Sequence, residues 1–407
     1  MEVRSEYKRT ELGIIPIDWG TSALFEVADC LDNVRVPLNE AQRRKMKGDV
    51  PYCGANGVLD FVNDFIIDDD IILMAEDGGY FDEYALRPIA YRMRGKCWVN
   101  NHAHILKAKP GHDQGFLFFS LVHKNILPYL ASGTRAKLNK SEMRKIVVPA
   151  PPTEAEQRAI AAALSDVDEL LGGLDRLIAK KRDLKLAAMR QLLTGQTRLP
   201  GFREEWKVRR LGEHATFLRN GVNPRAELLR EGKVKYLHYG DVHACKDVWL
   251  QPASLPCLPE LKAASLERLQ DGDLVLADAS EDTVGVSKSV EVRGVGSSEV
   301  VAGLHTIAVR FDNSVLADGF KGYLQFCPTF ATHLRRLAAG TKVYATNRAH
   351  IASVELCLPS IQEQTAIATV LSDMDAEISA LEARRDKTSA LKLAMMQELL
   401  TGKTRLV

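Results

Sequence analysis

The sequence predicts two α/β (α+β) lobes joined by two long antiparallel coiled-coil helices, with an internal pseudo-twofold repeat, and three observations carry that prediction. Sliding the 407-residue chain along itself superposes residues 152–199 on residues 359–406 without a gap, and about half of those positions are identical. Within each copy, apolar residues recur at alternating spacings of four and three, the seam of a coiled coil. Ahead of each copy, about 150 residues mix strand-like and helical runs.

Residues 1–151 form the first lobe, with strand-like runs at 65–74 and 99–106 and a helical run at 115–130. Residues 152–199 form the first rod. Thr153-x-x-Glu156 directly after Pro152 reads as a capping box, Ile160, Leu164, Val167, Leu171, Leu174 and Ile178 form its seam, and Gly195 closes it. Gly172-Gly173 weakens its middle by about 1 kcal/mol per glycine relative to alanine. Residues 200–358 form the second lobe, with strand-like runs at 273–277 and 300–310 and a helical run at 320–337. Residues 359–407 form the second rod, with Ser360-x-x-Glu363 at its start, Ile367, Leu371, Met374, Ile378 and Leu381 in its seam and Gly402 at its end. Each rod runs for about 40 residues, or about 60 Å. If the first rod leads away from lobe one, its repeat must lead back, so the predicted rods are antiparallel and the chain's two ends lie near each other.

The lobes share fainter anchors. Trp19 and Leu24 match Trp206 and Leu211, Asp70-Ile-Ile-Leu matches Asp273-Leu-Val-Leu, and Gly115-Phe116 matches Gly319-Phe320. Ser132-Gly133-Thr134-Arg135 matches Ala339-Gly340-Thr341-Lys342. Between these anchors the lobes diverge, which suggests two related readers of two different targets.

Composition narrows the class. Lys and Arg number 54 against 53 Asp and Glu, so the net charge of +1 draws neither nucleic acid nor membrane, and any such binding must come from local clusters. Seven cysteines, odd in number and never spaced C-x-x-C, read as reduced residues of a cytoplasmic protein, and no run approaches the roughly 18 to 20 apolar residues of a membrane span.

No catalytic, cofactor or metal site is expected. His102-x-His104 would put two imidazoles on one strand face but lacks a third ligand, so both read as core or surface histidines. Thr401-Gly-Lys-Thr404 lacks the first glycine of a phosphate loop, and Asn223-Pro224-Arg225 is not the Asn/Asp-Pro-Pro-aromatic run of a methyltransferase. Asp247, Glu260 and Lys262 could be drawn as a nuclease triplet, yet the first lobe has no counterpart.

Local charge is informative. Arg135, Lys137, Lys140, Arg144 and Lys145 cluster just ahead of the first rod, and Arg335, Arg336, Lys342 and Arg348 occupy the same place ahead of the second. With Thr134, Asn139, Thr341, Tyr344 and Asn347 interleaved, these segments suit phosphate and base-edge contacts. A third basic run, Arg43-Arg44-Lys45 with Lys47, has no counterpart and reads as a solvated loop or an extra phosphate contact.

The Gly-Thr-Arg-Ala-Lys-Leu-Asn of residues 133–139, then Ile-Val-Val-Pro-Ala-Pro-Pro, Glu-Gln-x-x-Ile and the long helix, resembles the specificity subunit of type I restriction-modification systems. The second copy, Gly-Thr-Lys at 340–342, Leu-Pro at 358–359 and Gln-Glu-Gln-Thr-Ala-Ile at 362–367, resembles it equally. The resemblance implies a non-enzymatic reader of double-stranded DNA: lobes at 1–151 and 200–358 as target recognition domains, rods at 152–199 and 359–407 as spacers. It further implies docking of two methyltransferase subunits and of restriction/translocase subunits, with S-adenosylmethionine, ATP and Mg2+ serving those partners and no cofactor in this chain. Alternatives are the DNA reader of another methylation or defence system, a DNA-modifying enzyme with its own nuclease site, and a coiled-coil scaffold with no nucleic-acid role.

Overall fold

Prolines and hydroxyls start the two long helices where the repeat places them. In the computed structural model, which describes residues 6–131, 136–283, 285–340 and 342–406, they run Glu154–Leu192 and Ile361–Leu399, 39 residues each. The Thr153 and Ser360 hydroxyls accept the backbone N–H of Glu156 and Glu363 at 3.2 and 3.4 Å. The reciprocal half of each predicted capping box is absent: the Glu156 and Glu363 carboxylates point to arginines far along the chain.

The chain divides into two compact units, Met1–Arg176 with Glu382–Val407, and Leu177–Leu381, so the division runs through both rods rather than at the expected lobe boundaries. In each unit, half of one rod lies against half of the other. In the first, Asp168 pairs with Lys392 at 2.6 Å and Asp175 with Arg385 at 3.1 Å. In the second, Lys181 pairs with Glu377 at 2.6 Å and Lys185 with Asp375. One number falls as the other rises, so the pairing within each unit is antiparallel. Ile160, Leu164, Leu174, Ile178, Ile367, Leu371 and Ile378 are buried, and Val167, Leu171, Met374 and Leu381 half-buried.

In the first unit a six-stranded sheet runs in the order Ala28–Cys30, Ala103–Ala108, Ile67–Ala75, Ala90–Val99, Lys47–Gly54, Gly57–Val62, antiparallel except between Lys47–Gly54 and Ala90–Val99. The second unit repeats this order in two pieces. One contains Ala215–Phe217, Thr306–Phe311, Leu274–Ala277 and Ser289–Val292, with Trp249–Leu250 added at its edge; the other contains Glu299–Ala302, Val234–Leu237 and Cys257–Leu258. The strand that is continuous at Ala90–Val99 is split in the second unit by a turn holding Gly294 and Gly296. In both units the entering and leaving strands pair just before the rod: Gly20–Ala23 with Val147–Ala150, and Lys207–Arg210 with Glu355–Leu358.

Three readings need correction. The run at 99–106 is two strands with a turn at Asn100–His102, and the run at 300–310 is likewise two strands, with His305 between them. Ala75 pairs with Ala103 and Ala277 with Thr306, which makes those pairs equivalent and leaves Asp70 one position short of Asp273. The third basic run lies in and just after a helix, Glu40–Lys45, where Arg43 pairs with Asp60 and Arg44 with Glu40. The helical runs resolve as Gln114–Val122 in one unit and Pro328–Leu337 in the other, the latter preceded by a 3-10 helix at Lys321–Phe326.

The Glu-Gln of each rod now has a reason. Gln157 accepts the N–H of Asp113, and Gln364 that of Ala317, each at 2.9 Å, tying the rod to the segment that begins the lobe's last helical part. Glu156, 1% exposed, is gripped by Arg405, whose guanidinium lies 5.8 Å from the Trp19 ring. Glu363, also 1% exposed, is gripped by Arg198, 5.6 Å from Trp206. Gly195 and Gly402, at φ 71° and 67°, turn each rod's tail into this clasp, and a Cβ on Gly195 would press on Trp206 at 3.2 Å.

Candidate nucleic-acid interface

Both basic segments reach the sheet at the same point. The Glu76 carbonyl accepts the N–H of Leu138 at 2.7 Å, and the Asp278 carbonyl accepts that of Thr346 at 2.8 Å. One residue later an asparagine opens a short helix: Asn139 before Lys140–Met143 and Asn347 before Arg348–Ala352. The extended backbone at each asparagine makes it the residue that ends the loop and starts the helix.

The two sets of expected readers are held differently. In the first lobe, Asn139 and Lys140 are exposed and Asn139 spends no side-chain bond on its cap. Lys137 pairs with Glu76 at 2.9 Å while 45% exposed. Lys140 and Arg144 line a cleft of about 190 Å³ together with Lys109 and Phe25, the Arg144 guanidinium lying 5.5 Å from the Phe25 ring. Lys145 pairs with Glu142 at 2.7 Å. Thr134 and Arg135 lie outside the described residues.

In the second lobe, Asn347 is committed to its cap, accepting the His350 N–H at 3.0 Å. Arg348 donates to the Leu218 carbonyl at 2.8 Å and to Asn220 at 3.3 Å. Tyr344 is half-buried on a short strand paired with Ala279–Ser280, whereas Lys342, Arg335 and Arg336 are exposed. Thr341 lies outside the described residues.

A buried charge network under the first segment escaped the sequence reading. His104, 1% exposed, meets the Asp32 carboxylate through Nδ1 at 2.7 Å and the Leu138 carbonyl through Nε2 at 2.8 Å. Both partners only accept, so both nitrogens donate and the ring is an imidazolium. Burial opposes that charge, but the hydrogen bonds to Asp32 and Cys30 and the negative charge of Asp32 outweigh it and raise the pKa to about 9. Burial likewise opposes ionisation of Asp32, yet His104, the Ile105 N–H and Arg35 lower its pKa to about 2. Glu76, held low mainly by Arg35 and Lys137 against its burial, completes the network. Cys30, Asp32 and His104 place one donor atom each within 4.8 Å of one another, but with both ring nitrogens donating, His104 offers no lone pair to a metal.

His102, which the sequence reads as a core or surface histidine, has a counterpart in His305. The strand register makes them equivalent, each standing one residue before an equivalent strand, and each carries an aspartate on Nδ1. Asp247 and Glu260, drawn as part of a nuclease triplet, find no third member in Lys262, whose ammonium is paired with Glu227 at 2.7 Å.

Comparison with known proteins agrees with this construction. Residues 16–179 match the family described as the type I restriction modification DNA specificity domain. A type I restriction enzyme specificity subunit of Haemophilus influenzae is 32% identical over 145 residues, 35% of this chain and 36% of that relative. The MjaX specificity subunit of Methanocaldococcus jannaschii is 23% identical over 444 residues, covering 98% of this chain and 96% of the relative. The MjaVIII specificity subunit of the same organism is 26% identical over 311 residues, 72% and 71% of the two chains. The fold is that of the S subunit of a type I restriction-modification system from M. genitalium, at a TM-score of 0.63 with 14% identity over 98% of both chains. A chain from a structure on complex assembly and conformational transition of a type I system has a TM-score of 0.55 at 15% identity, over 96% of this chain and 99% of that one. Residues 16–179 thus match the type I restriction modification DNA specificity domain, and over 98% of its length the chain is similar to a specificity subunit of a type I restriction enzyme.

Proposed function

We propose that this chain is the DNA-sequence recognition subunit of a type I restriction-modification complex, without a catalytic site of its own. One observation carries the reading: a duplicated sheet presents, at the same point in each lobe, a basic segment ending in an asparagine-headed helix. Two such stations with divergent side chains suit a bipartite, asymmetric target, one half read by each lobe, with phosphate contacts from the lysines and arginines and base contacts from the amides and hydroxyls. Residues 1–151 and 200–358 are the recognition domains, and the rods at 152–199 and 359–407 set the spacing and dock two methyltransferase subunits. Restriction subunits complete the assembly. S-adenosylmethionine, ATP and Mg2+ belong to those partners, and the complex works in the cytoplasm; among the described residues, no helix is long and apolar enough to cross a membrane.

The test has two arms. The isolated chain is expected to bind duplex DNA without altering it, and neutralising about 6 to 10 phosphates should cost orders of magnitude in affinity between 50 and 200 mM salt. Methylome sequencing of a host expressing the chain with its neighbouring methyltransferase should reveal one split adenine-methylated motif. A flat salt response together with an unchanged methylome rejects the reading, and cleavage or methyl transfer by the chain alone supports the enzyme alternative.

A further inference from the structure

In each lobe a histidine stands in one hydrogen-bonded row with the basic segment. In the first, the His102 carbonyl accepts the Glu76 N–H at 2.9 Å, and the Glu76 carbonyl accepts the Leu138 N–H. In the second, the His305 carbonyl accepts the Asp278 N–H at 3.1 Å, and the Asp278 carbonyl accepts the Thr346 N–H. Histidine, acidic edge residue and reading segment are thus three neighbours in one row, followed at once by Asn139 or Asn347.

The two rings are prepared alike. Nδ1 of His102 meets Asp77 at 2.6 Å and Nδ1 of His305 meets Asp278 at 3.1 Å, while the side chains are 44% and 53% exposed. Neither Nε2 has a hydrogen-bond partner among the described residues. A carboxylate on Nδ1 fixes the ring's tilt and leaves Nε2 to meet whatever approaches from solvent. The aspartates come from different places, Asp77 one residue beyond the edge position and Asp278 at it, so the two lobes reach the same arrangement by different residues.

The backbone of the second histidine adds an independent sign. His305 has φ 56°, the only non-glycine residue among those described in the left-handed region, and Tyr239 packs edge-on against its ring at 5.5 Å. Glycine would hold this conformation with less strain, and residues held in sparsely populated backbone regions cluster where a side chain serves a ligand.

We propose that His102 and His305 are paired duplex contacts, one in each lobe, whose outward Nε2 meets the DNA beside the basic segment. The inference rests on the DNA-reading function above and goes beyond it by naming one contact residue per lobe and the carboxylate that aims it.

The experiment uses the full chain and a duplex carrying the motif found by methylome sequencing. His102→Ala and His305→Ala are each expected to weaken binding about tenfold, and the double variant about a hundredfold if the sites act independently. Asp77→Asn and Asp278→Asn should give smaller losses, since the ring stays but its tilt is freed. The decisive variant is His305→Gly: it removes the ring and relieves the left-handed backbone, so the melting temperature should not fall while affinity still drops about tenfold. Binding within twofold of wild type in His305→Gly and in the double variant overturns this inference and leaves the DNA reading intact. A wild-type chain that binds no duplex overturns both.

Discussion

At the scale of single residues, buried charge decides more than exposed charge. Arg405 closes over Glu156 and Asp18, and truncating it to alanine strands a carboxylate that is 1% exposed. Arg405→Ala is expected to cost about 1–3 kcal/mol in urea unfolding, with a smaller loss for Glu156→Gln, which keeps a neutral acceptor. His104 makes a prediction about pH. Its folded pKa of about 9 stands above the ordinary 6.5, so its contribution is full below pH 6.5 and is lost as pH rises through 9. Asp32 acts oppositely: its stabilisation is present above the ordinary 3.8 and is lost as pH falls through about 2. Unfolding of the first unit should therefore be hardest between about pH 4 and 6.5 and weaken by about 2–3 kcal/mol toward pH 9. His104→Gln should flatten that alkaline slope, and a slope unchanged in the variant would assign it to another group. The charged groups around His104 are Asp32 and Glu76, with Arg35 on both carboxylates and Lys137 on Glu76.

At the scale of elements, the rods were the most legible part and the sheets the least. Thr153, Ser360, Gly195 and Gly402 mark local events, which the chain writes next to one another. Glu156 and Glu363 were misread because their partners are 249 and 165 positions away. The two split strands escape a reading of apolar content alone, since apolar residues lie on both sides of each turn; Asn100-Asn101 is the signal in one and Gly303 in the other. The shared sheet topology was invisible, since two sheets can keep their strand order while exchanging nearly every side chain. Gly173 offers a direct test of the first rod: a Cβ there meets nothing within 4 Å, so Gly173→Ala should stabilise by about 1 kcal/mol. The seam also carries lysine on aspartate at Lys185–Asp375 and Lys392–Asp168. Replacing both members of one pair by leucine should leave stability level or raised, while removing only the aspartate should lower it.

For the whole molecule, the closed entry and exit strands of each lobe support modular specificity. Exchanging residues 212–337 for those of another family member should change one half of the methylated sequence and leave the other half as it was. The antiparallel pairing also refines where a spacing test belongs. Four residues inserted after Arg176 and after Ala383, between the Asp175–Arg385 and Lys181–Glu377 pairs, lengthen each rod by about 6 Å and turn it about 40°. At about 3.4 Å per base pair, methylation should move to the same half-sites with a spacer one or two pairs longer. Preference for the original spacer would show that the rods do not set it. The last residues lie against the first lobe, through Tyr7 to the Lys403 carbonyl and Arg405 to Asp18. A permutant joined there and opened near Pro200–Gly201 should fold and support methylation.

That docking of the tail has a consequence for synthesis. The second unit is one unbroken stretch, Leu177–Leu381, whereas the first waits for Glu382–Val407 to supply Met396, Leu399 and Arg405 to its core and clasp. The half of the protein made first is thus finished last, and its incomplete apolar face stays open while the ribosome translates everything between. A chain halted at Leu381 should show a protease-resistant second unit beside a first unit that is digested, and limited proteolysis of that truncated chain checks it.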